Sequence, residues 1–404
     1  MANEDKSARY HRLRRRTALL DTIVQVLFLV LLVLSGASIA IRANVEVAVG
    51  ASFIPVVITC VLVLAGLSEL LHLPFAFYQG VVLERRYGLS RETAGRWLAD
   101  HIKAAALVLA YLALAGIVVA ALIRLSPDRW WLFAAICFAV VLMGLARFAP
   151  VLLLPLFYDV RPLDREDLRV RLMALAEKAG TPVLGVFEWR LGDRTSKANA
   201  ALVGIGKTRR ILVSDTLLAA HSDQEIETVF AHELAHHVYG DIWSALALEV
   251  VLVTVGCYLA DYVLTTFASS AGLDGKSDVA GFPLIALAGG VVSVALRPMT
   301  NALSRAHERR ADRYALEATK NSAAFISAMR RVASTNLAEE QPSRFVELFF
   351  HTHPSTAARI AAARSWALGS RLPALGTNLE RPAHDPKAGA QSPEPKAQSP
   401  EPRA

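Results

Sequence analysis

Two short strings in this chain could do metal chemistry: His232-Glu233-Leu234-Ala235-His236 and, about seventy residues later, Ser304-Arg305-Ala306-His307-Glu308-Arg309-Arg310-Ala311-Asp312. Residues four apart share one face of an α-helix, so His232 and His236 can aim imidazole nitrogens at a single ion with Glu233 beside them. A catalytic zinc keeps three protein ligands and one open position for water, so a third ligand must come from elsewhere. Glu308 is the candidate. Asp312, one turn further on the same face, suits a carboxylate that accepts the second ring N–H of a ligating histidine; the alternative is a surface ion pair with Arg309 or Arg305. His237 and His307 adjoin these residues but point about 100° away on an ideal helix, which makes them bystanders.

These residues must be positioned next to a membrane. The chain of 404 residues is 54% hydrophobic and carries a formal charge of +7, beyond the apolar share of an ordinary soluble domain. Six stretches reach the roughly 20 apolar residues that a spanning helix needs: 17–41, 52–75, 103–124, 130–156, 242–267 and 281–298. The first is too long for the apolar segment of a signal peptide and reads as a retained anchor. Basic residues set the orientation. Lys6, Arg9, Arg12, Arg14, Arg15 and Arg16 precede the first span, and Arg85, Arg86, Arg91 and Arg96 follow the second, so both flanks are cytoplasmic. Even span counts then place residues 157–241, with the HExxH string, and the segment after 298 on the same side. Trp97, Trp130, Trp131 and Trp243 lie near span ends, where aromatic belts form.

This divides the chain into a basic N-terminus (1–16), four spans (17–156), a first soluble part with HExxH (157–241), two spans (242–298), a second soluble part with ExxxD (299–371) and a tail (372–404). The soluble part predicts a helix over Asp164 to Lys178 ending at Gly180, a strand over Pro182 to Trp189, and a hairpin of Ala198 to Ile205 with Arg209 to Val213. Ser214 or Asp215 caps a short helix, and Ser222-Asp223-Gln224-Glu225 is a capping box that starts the motif helix near Asp223. Only seven residues separate His236 from Trp243, and ten separate Pro298 from Glu308. Both ligand groups would lie roughly 10–15 Å from the membrane if their helices ran unbroken into the fifth and sixth spans.

Several classes are excluded. Gly206-Lys207-Thr208 resembles the end of a phosphate-binding loop, but the first glycine of that motif is replaced by Ala201 and a strand follows, so no nucleotide is expected. The positive charge follows from topology and contact with anionic lipid, with no case for nucleic acid. Cys60, Cys137 and Cys257 all fall in spans without metal spacing and read as packing residues. No GxSxG elbow is present. The tail repeats Ala390-Gln391-Ser392-Pro393-Glu394-Pro395 as 397–402, a composition that builds no core and predicts disorder. It ends without a cysteine, hence without a prenylation box of its own.

HELAHH (232–237) with SRAHERRAD (304–312) resembles the type I CAAX prenyl endopeptidases and the related HtpX membrane proteases, gluzincins whose third ligand is the Glu of an ExxxD helix. Residues 73–103, LPFAFYQGVVLERRYGLSRETAGRWLADHIK, are similar to the N-terminal membrane region of the CAAX type, and the likeness covers most of 20–365. The resemblance implies one zinc per chain and a gluzincin-like zinc protease domain, and with the hydropathy and charge pattern the expected fold is mainly α and polytopic, with about six spans and a cytoplasmic α+β protease domain. It implies that Asn199-Ala200 precedes an edge strand that pairs with substrate backbone, and that His353, in His353-Pro354, supports the reacting carbonyl; for His353 a loop histidine with no role is the alternative. A seventh span of the CAAX type has no counterpart here.

The expected reaction is peptide hydrolysis, with Glu233 moving the water proton to the leaving amine. The expected substrate is a peptide or protein, prenylated at its C-terminus by the resemblance. The Ala- and Arg-rich composition points instead to a bacterial cytoplasmic membrane and to turnover of membrane-associated or misfolded proteins. A non-proteolytic scaffold or transporter is the remaining alternative, against which stand the full residue set and the lack of matched broken helices.

Overall fold

The structure, a computed structural model, describes residues 2–152, 154–204 and 206–369; the predicted disorder of the tail, 372–404, lies outside the described residues. Runs of Leu, Val, Ala and Ile make the first elements: α1 (Ala2–Leu34), α2 (Ala37–Val49), α3 (Phe53–Phe77), a π-helical turn at Tyr78–Leu83, α4 (Glu84–Arg86), α5 (Ala94–Leu125), α6 (Trp130–Leu152) and α7 (Leu154–Phe157). Six helices among the described residues are long and apolar enough to cross a membrane, and they overlap the six stretches read from hydropathy. The chain is a multi-pass membrane protein.

Boundaries differ where backbone chemistry intervenes. The first helix ends at Leu34, not 41, because Gly36 adopts a left-handed conformation (φ 72°) and starts α2 in a new direction. With 13 residues α2 is too short to span. The second apolar helix instead runs on to Arg86 through the π turn.

The soluble part follows as β1 (Val160–Pro162), α8 (Glu166–Lys178), β2 (Val186–Trp189), β3 (Ala200–Val203), β4 (Arg210–Ser214), α9 (Asp215–Ala220) and α10 (Asp223–Val238). The predicted helix, hairpin and both caps form: the Ser214 side chain accepts from Leu217 N–H, and Ser222 and Glu225 make the reciprocal capping box that starts α10. The sheet order is β1-β2-β4-β3, with β2 parallel to β4 and the other pairs antiparallel. Strand β3 is thus an edge. Leu168 and Leu172 of α8, Ile211 and Val213 of β4, and Ile226, Phe230 and Leu234 of α10 share one buried core that fixes the motif helix on the sheet.

Two long helices return through the membrane, α11 (Asp241–Phe267) and α12 (Phe282–Thr319), and α13 (Ser322–Thr335), α14 (Arg344–Phe350) and α15 (Thr356–Gly369) close the chain. Helix α12 passes Pro298 without a break, so the sixth span and the Glu308 segment are one rod of 38 residues. The fifth span behaves differently: α10 stops at Val238, Gly240 is left-handed (φ 67°), and α11 begins at Asp241. The unbroken continuation holds only on the Glu308 side. Ala231 of α10, Ala315 and Leu316 of α12, Phe325 and Ala328 of α13 and Ala363 of α15 then pack as a second soluble core.

The β3–β4 turn depends on one glycine. Gly204 has φ +89°, and a Cβ there would stand 2.6 Å from the Thr208 carbonyl oxygen, whereas Gly206 (φ +60°) has open space around it. Gly204→Ala should cost about 2 kcal/mol or more, through strain plus a backbone clash, and clearly more than Gly206→Ala. The check is the thermal midpoint of the detergent-solubilised variants; equal shifts would refute the clash.

Candidate metal centre

Helices α10 and α12 lie side by side, and that packing brings the two strings together. One ligand atom from each of His232, His236 and Glu308 lies within 4.8 Å of the others. His232 Nε2 is 3.2 Å from Glu308 Oε2 and His236 Nε2 is 3.5 Å from Glu308 Oε1. The two imidazoles stand edge-on, with centroids 5.1 Å apart.

Each imidazole is held from behind. His232 Nδ1 lies 3.0 Å from Asp312 Oδ1, the partner expected from the sequence. His236 Nδ1 lies 2.8 Å from Asp241 Oδ2, a partner that spacing on one helix could not reveal. The helix break at Gly240 is what turns Asp241, the first residue of α11, back toward His236. Arg310 and Asp241 form an ion pair, and His307 Nε2 lies 3.1 Å from Ser244 Oγ, outside the ligand cluster. With Nδ1–H committed to a carboxylate, both rings present Nε2 as the lone-pair nitrogen.

A third group went unseen in the sequence. Arg359 of α15 donates from Nε to Asp312 Oδ2 at 2.8 Å and from Nη2 to Oδ1, the oxygen that also faces His232 Nδ1, so Asp312 holds both the imidazole and a forked guanidinium. No local pattern marks Arg359; only the fold of α15 over α12 selects it.

The donor set suits a divalent cation. Glu308 Oε2 is buried with no hydrogen bond, although His232 Nε2 is close. Burial alone would lower the His232 imidazole, but the Asp312 and Glu308 carboxylates beside it outweigh this and push it up to about 9. The site demands positive charge, as a proton or as a metal. Two imidazole nitrogens with one carboxylate are borderline-soft donors of the kind found around catalytic zinc.

Glu233 lies between the two histidines on α10, within the electrostatic reach of both. Burial pushes its carboxyl above the usual carboxylate range, only partly offset by His232 and His236. His353 also reaches the cluster, with Nε2 3.3 Å from Glu308 Oε1, Nδ1 2.8 Å from Thr352 Oγ1 and a side chain 60% exposed. His237 is more than a bystander: its Nε2 lies 2.7 Å from the Leu202 carbonyl, tying the edge strand to the metal helix. Burial lowers the His237 imidazole, which keeps it neutral with Nε2–H as the donor.

The edge itself is legible from register. Ser214 N–H donates to the Asn199 carbonyl, and Ala201 pairs with Leu212. Alternation along the antiparallel pair then leaves the backbone groups of Ala200 and Leu202 directed outward. His237 takes the Leu202 carbonyl.

Comparison with known proteins agrees with this geometry. The family model of peptidase family M48 matches residues 162–367. A second, described as CAAX prenyl protease N-terminal, five membrane helices, matches residues 2–159; among the described residues that region holds four candidate spans and the short α2. The chain is 32% identical to an uncharacterized metalloprotease, YhfN, of Bacillus subtilis, covering 83% of this chain and 79% of that protein. It is 26% identical to CAAX prenyl protease 1 of Saccharomyces cerevisiae over 74% of this chain and 70% of that one. The crystal structure of S. mikatae Ste24p shares the fold, with a TM-score of 0.77 at 22% identity over 90% of this chain and 88% of that chain. The chain belongs to peptidase family M48, as a multi-pass membrane metalloprotease of the CAAX prenyl protease-like kind.

Proposed function

We propose that the metal is zinc, one per chain, held by Nε2 of His232, Nε2 of His236 and the Glu308 carboxylate. The observation that carries this reading is the pair of carboxylates behind the two imidazoles, Asp312 and Asp241, which leave both Nε2 atoms free beside Glu308. Residues 157–241 and 299–371 are two parts of one protease unit, joined by the packing of α10 on α12.

Bound zinc supplies a Lewis acid that polarises a carbonyl and makes water acidic near neutral pH. Glu233 takes the water proton and delivers it to the leaving amine; its raised carboxyl suits both directions of that transfer. Asp312 and Asp241 hold the imidazole N–H groups, fixing tautomer and ring orientation. Substrate lies extended along β3 next to Asn199-Ala200, where the outward backbone groups of Ala200 give pairing that is tolerant of sequence. His353 donates to the oxygen that becomes negative as the carbonyl is attacked.

The substrates are peptides of membrane-associated proteins, cleaved on the cytoplasmic side of a bacterial membrane, with no requirement for a prenyl group. The basic flanks of the first two spans support the orientation, and the higher identity to the Bacillus protein than to the yeast one supports the bacterial setting. A second reading, cleavage of prenylated C-termini, draws on the names of the eukaryotic relatives.

The test is metal analysis of purified protein together with cleavage of one quenched peptide, with and without a farnesyl group. One zinc per chain, activity lost with a chelator and restored by zinc, and rates for the two peptides within about threefold, a difference of well under 1.4 kcal/mol, are expected. A farnesyl preference of about a hundredfold would select the second reading. Absence of zinc from metal-replete, folded protein would sink the mechanism.

A further inference from the structure

Helix α14 (Arg344–Phe350) leaves an apolar side open. Phe345 is 65% exposed, Leu348 40% and Phe350 43%, and the rings of Phe345 and Phe349 lean together with centroids 4.8 Å apart. At 100° per residue, Leu348, Phe345, Phe349, Val346 and Phe350 fill an arc of about 200°, with Glu347 and Arg344 on the remainder. A soluble surface seldom leaves such a patch without a partner.

The height of this helix is fixed by α12. Asn301 Nδ2 donates to the Leu348 carbonyl at 3.1 Å, and Arg305 Nη1 donates to the carbonyls of Glu347 and His351 at 2.8 and 2.7 Å. Asn301 and Arg305 are themselves buried, and they bond the carbonyls of Leu348 and His351, which lie past the last helical acceptor, together with that of Glu347, which also accepts from His351 N–H. The sixth apolar stretch ends at Pro298, so the two anchors stand roughly 5 and 10 Å beyond the membrane boundary along a continuous helix. Val294, 53% exposed and seven residues before Asn301 on the same face of α12, carries the apolar belt of the span up to α14.

We propose that α14 is an interfacial helix whose Phe345, Leu348 and Phe349 side enters the boundary between headgroups and acyl chains of the adjoining leaflet. Amphipathic helices bury a face of Phe and Leu at that depth, and Arg344 faces the headgroup phosphates. The bilayer, continuous with the belt at Val294 on the same face of α12, is the occupant. Three residues after α14, His353 reaches the Glu308 carboxylate at 3.3 Å. Lipid contact at α14 therefore holds this side of the metal centre against the leaflet, and polypeptides anchored in that leaflet meet the centre at a fixed distance from the membrane. This last step rests on the proposed membrane-associated substrates; the lipid contact does not.

The test uses the full chain in phosphatidylcholine–phosphatidylglycerol nanodiscs. Phe345→Cys is introduced after Cys60→Ala, Cys137→Ala and Cys257→Ala, and labelled with a nitrobenzoxadiazole dye. Lipids carrying a spin label high on the acyl chain should quench the dye at 345 by about half or more, as at Val294→Cys, and leave it bright at Val170→Cys on the exposed side of α8. A dye at 345 that behaves like the one at 170 overturns the proposal. So does quenching that appears only after a lipid-modified peptide is added, which would make the face a substrate pocket.

A functional arm uses Phe345→Glu with Phe349→Glu. This variant should lose about tenfold or more in kcat/KM on a membrane-anchored peptide, by losing its effective concentration at the site, and stay within about twofold on the same peptide free in water. Equal losses on both peptides would mean that α14 acts on the site rather than at the bilayer. Should wild-type protein cleave neither peptide, the protease reading fails, and the quenching result still decides the lipid contact.

Discussion

Glu233→Gln should lower kcat/KM for any cleaved peptide by about 10²–10⁴-fold, the usual contribution of a positioned general base, while zinc stays at one per chain. The amide has the shape of the carboxyl group but cannot take a proton from water, and Glu233 is not among the three groups that converge on the ion position. Catalysis and metal retention should therefore separate. The two readouts are initial rates on a quenched peptide and zinc by mass spectrometry on the same preparation. A rate within tenfold of wild type would remove Glu233 from the mechanism. Loss of zinc together with activity would mean that Glu233 supports the ligand set instead of the water.

The second large effect belongs to a residue with no motif. Arg359→Leu keeps much of the side-chain volume but leaves Asp312, itself buried, with His232 as its remaining partner at 3.0 Å. Removing one partner of a buried ion pair typically costs about 3–5 kcal/mol, because the other charge stays behind without compensation. Disturbing the carboxylate behind a ligating histidine typically weakens metal binding by about 10–100-fold. Both should appear, as a lower thermal midpoint and as faster loss of zinc to a competing chelator. Arg359→Lys should fall between, since an ammonium keeps the charge but cannot make the fork to both Asp312 oxygens. If Arg359→Leu retains zinc as tightly as wild type, the Arg359–Asp312 pair has no hold on the ligand, and its role is confined to seating α15.

Periodicity made much of the architecture readable. The apolar stretches are one-dimensional signals, because a bilayer demands about 20 residues regardless of what packs beside them. The capping box at Ser222 and Glu225 and the Ser214 cap are equally local, a side chain closing onto backbone three residues away. The pairing of His232 with His236 follows from helical pitch, and the closeness of Glu308 to both follows from a continuous α12 packed against α10. The exceptions are conformational. A left-handed Gly36 ended the first helix early, and a left-handed Gly240 cut the motif helix from the fifth span, and φ is not written in hydropathy.

By itself the sequence pointed to the residues proposed to carry the chemistry, marked six stretches apolar enough to cross a membrane and fixed where the motif helix starts, since each of these is read from contacts within one or two turns or from a solvent that reads composition. Only the tertiary structure decided what stands behind those residues. Asp241 reaches His236 because a chain reversal brings it back, Arg359 reaches Asp312 across 47 positions, and His237 reaches the Leu202 carbonyl on a neighbouring strand. Such partners are chosen by how helices and sheet pack in three dimensions, and charged or polar residues of the same types are too common along the chain for their spacing to single them out.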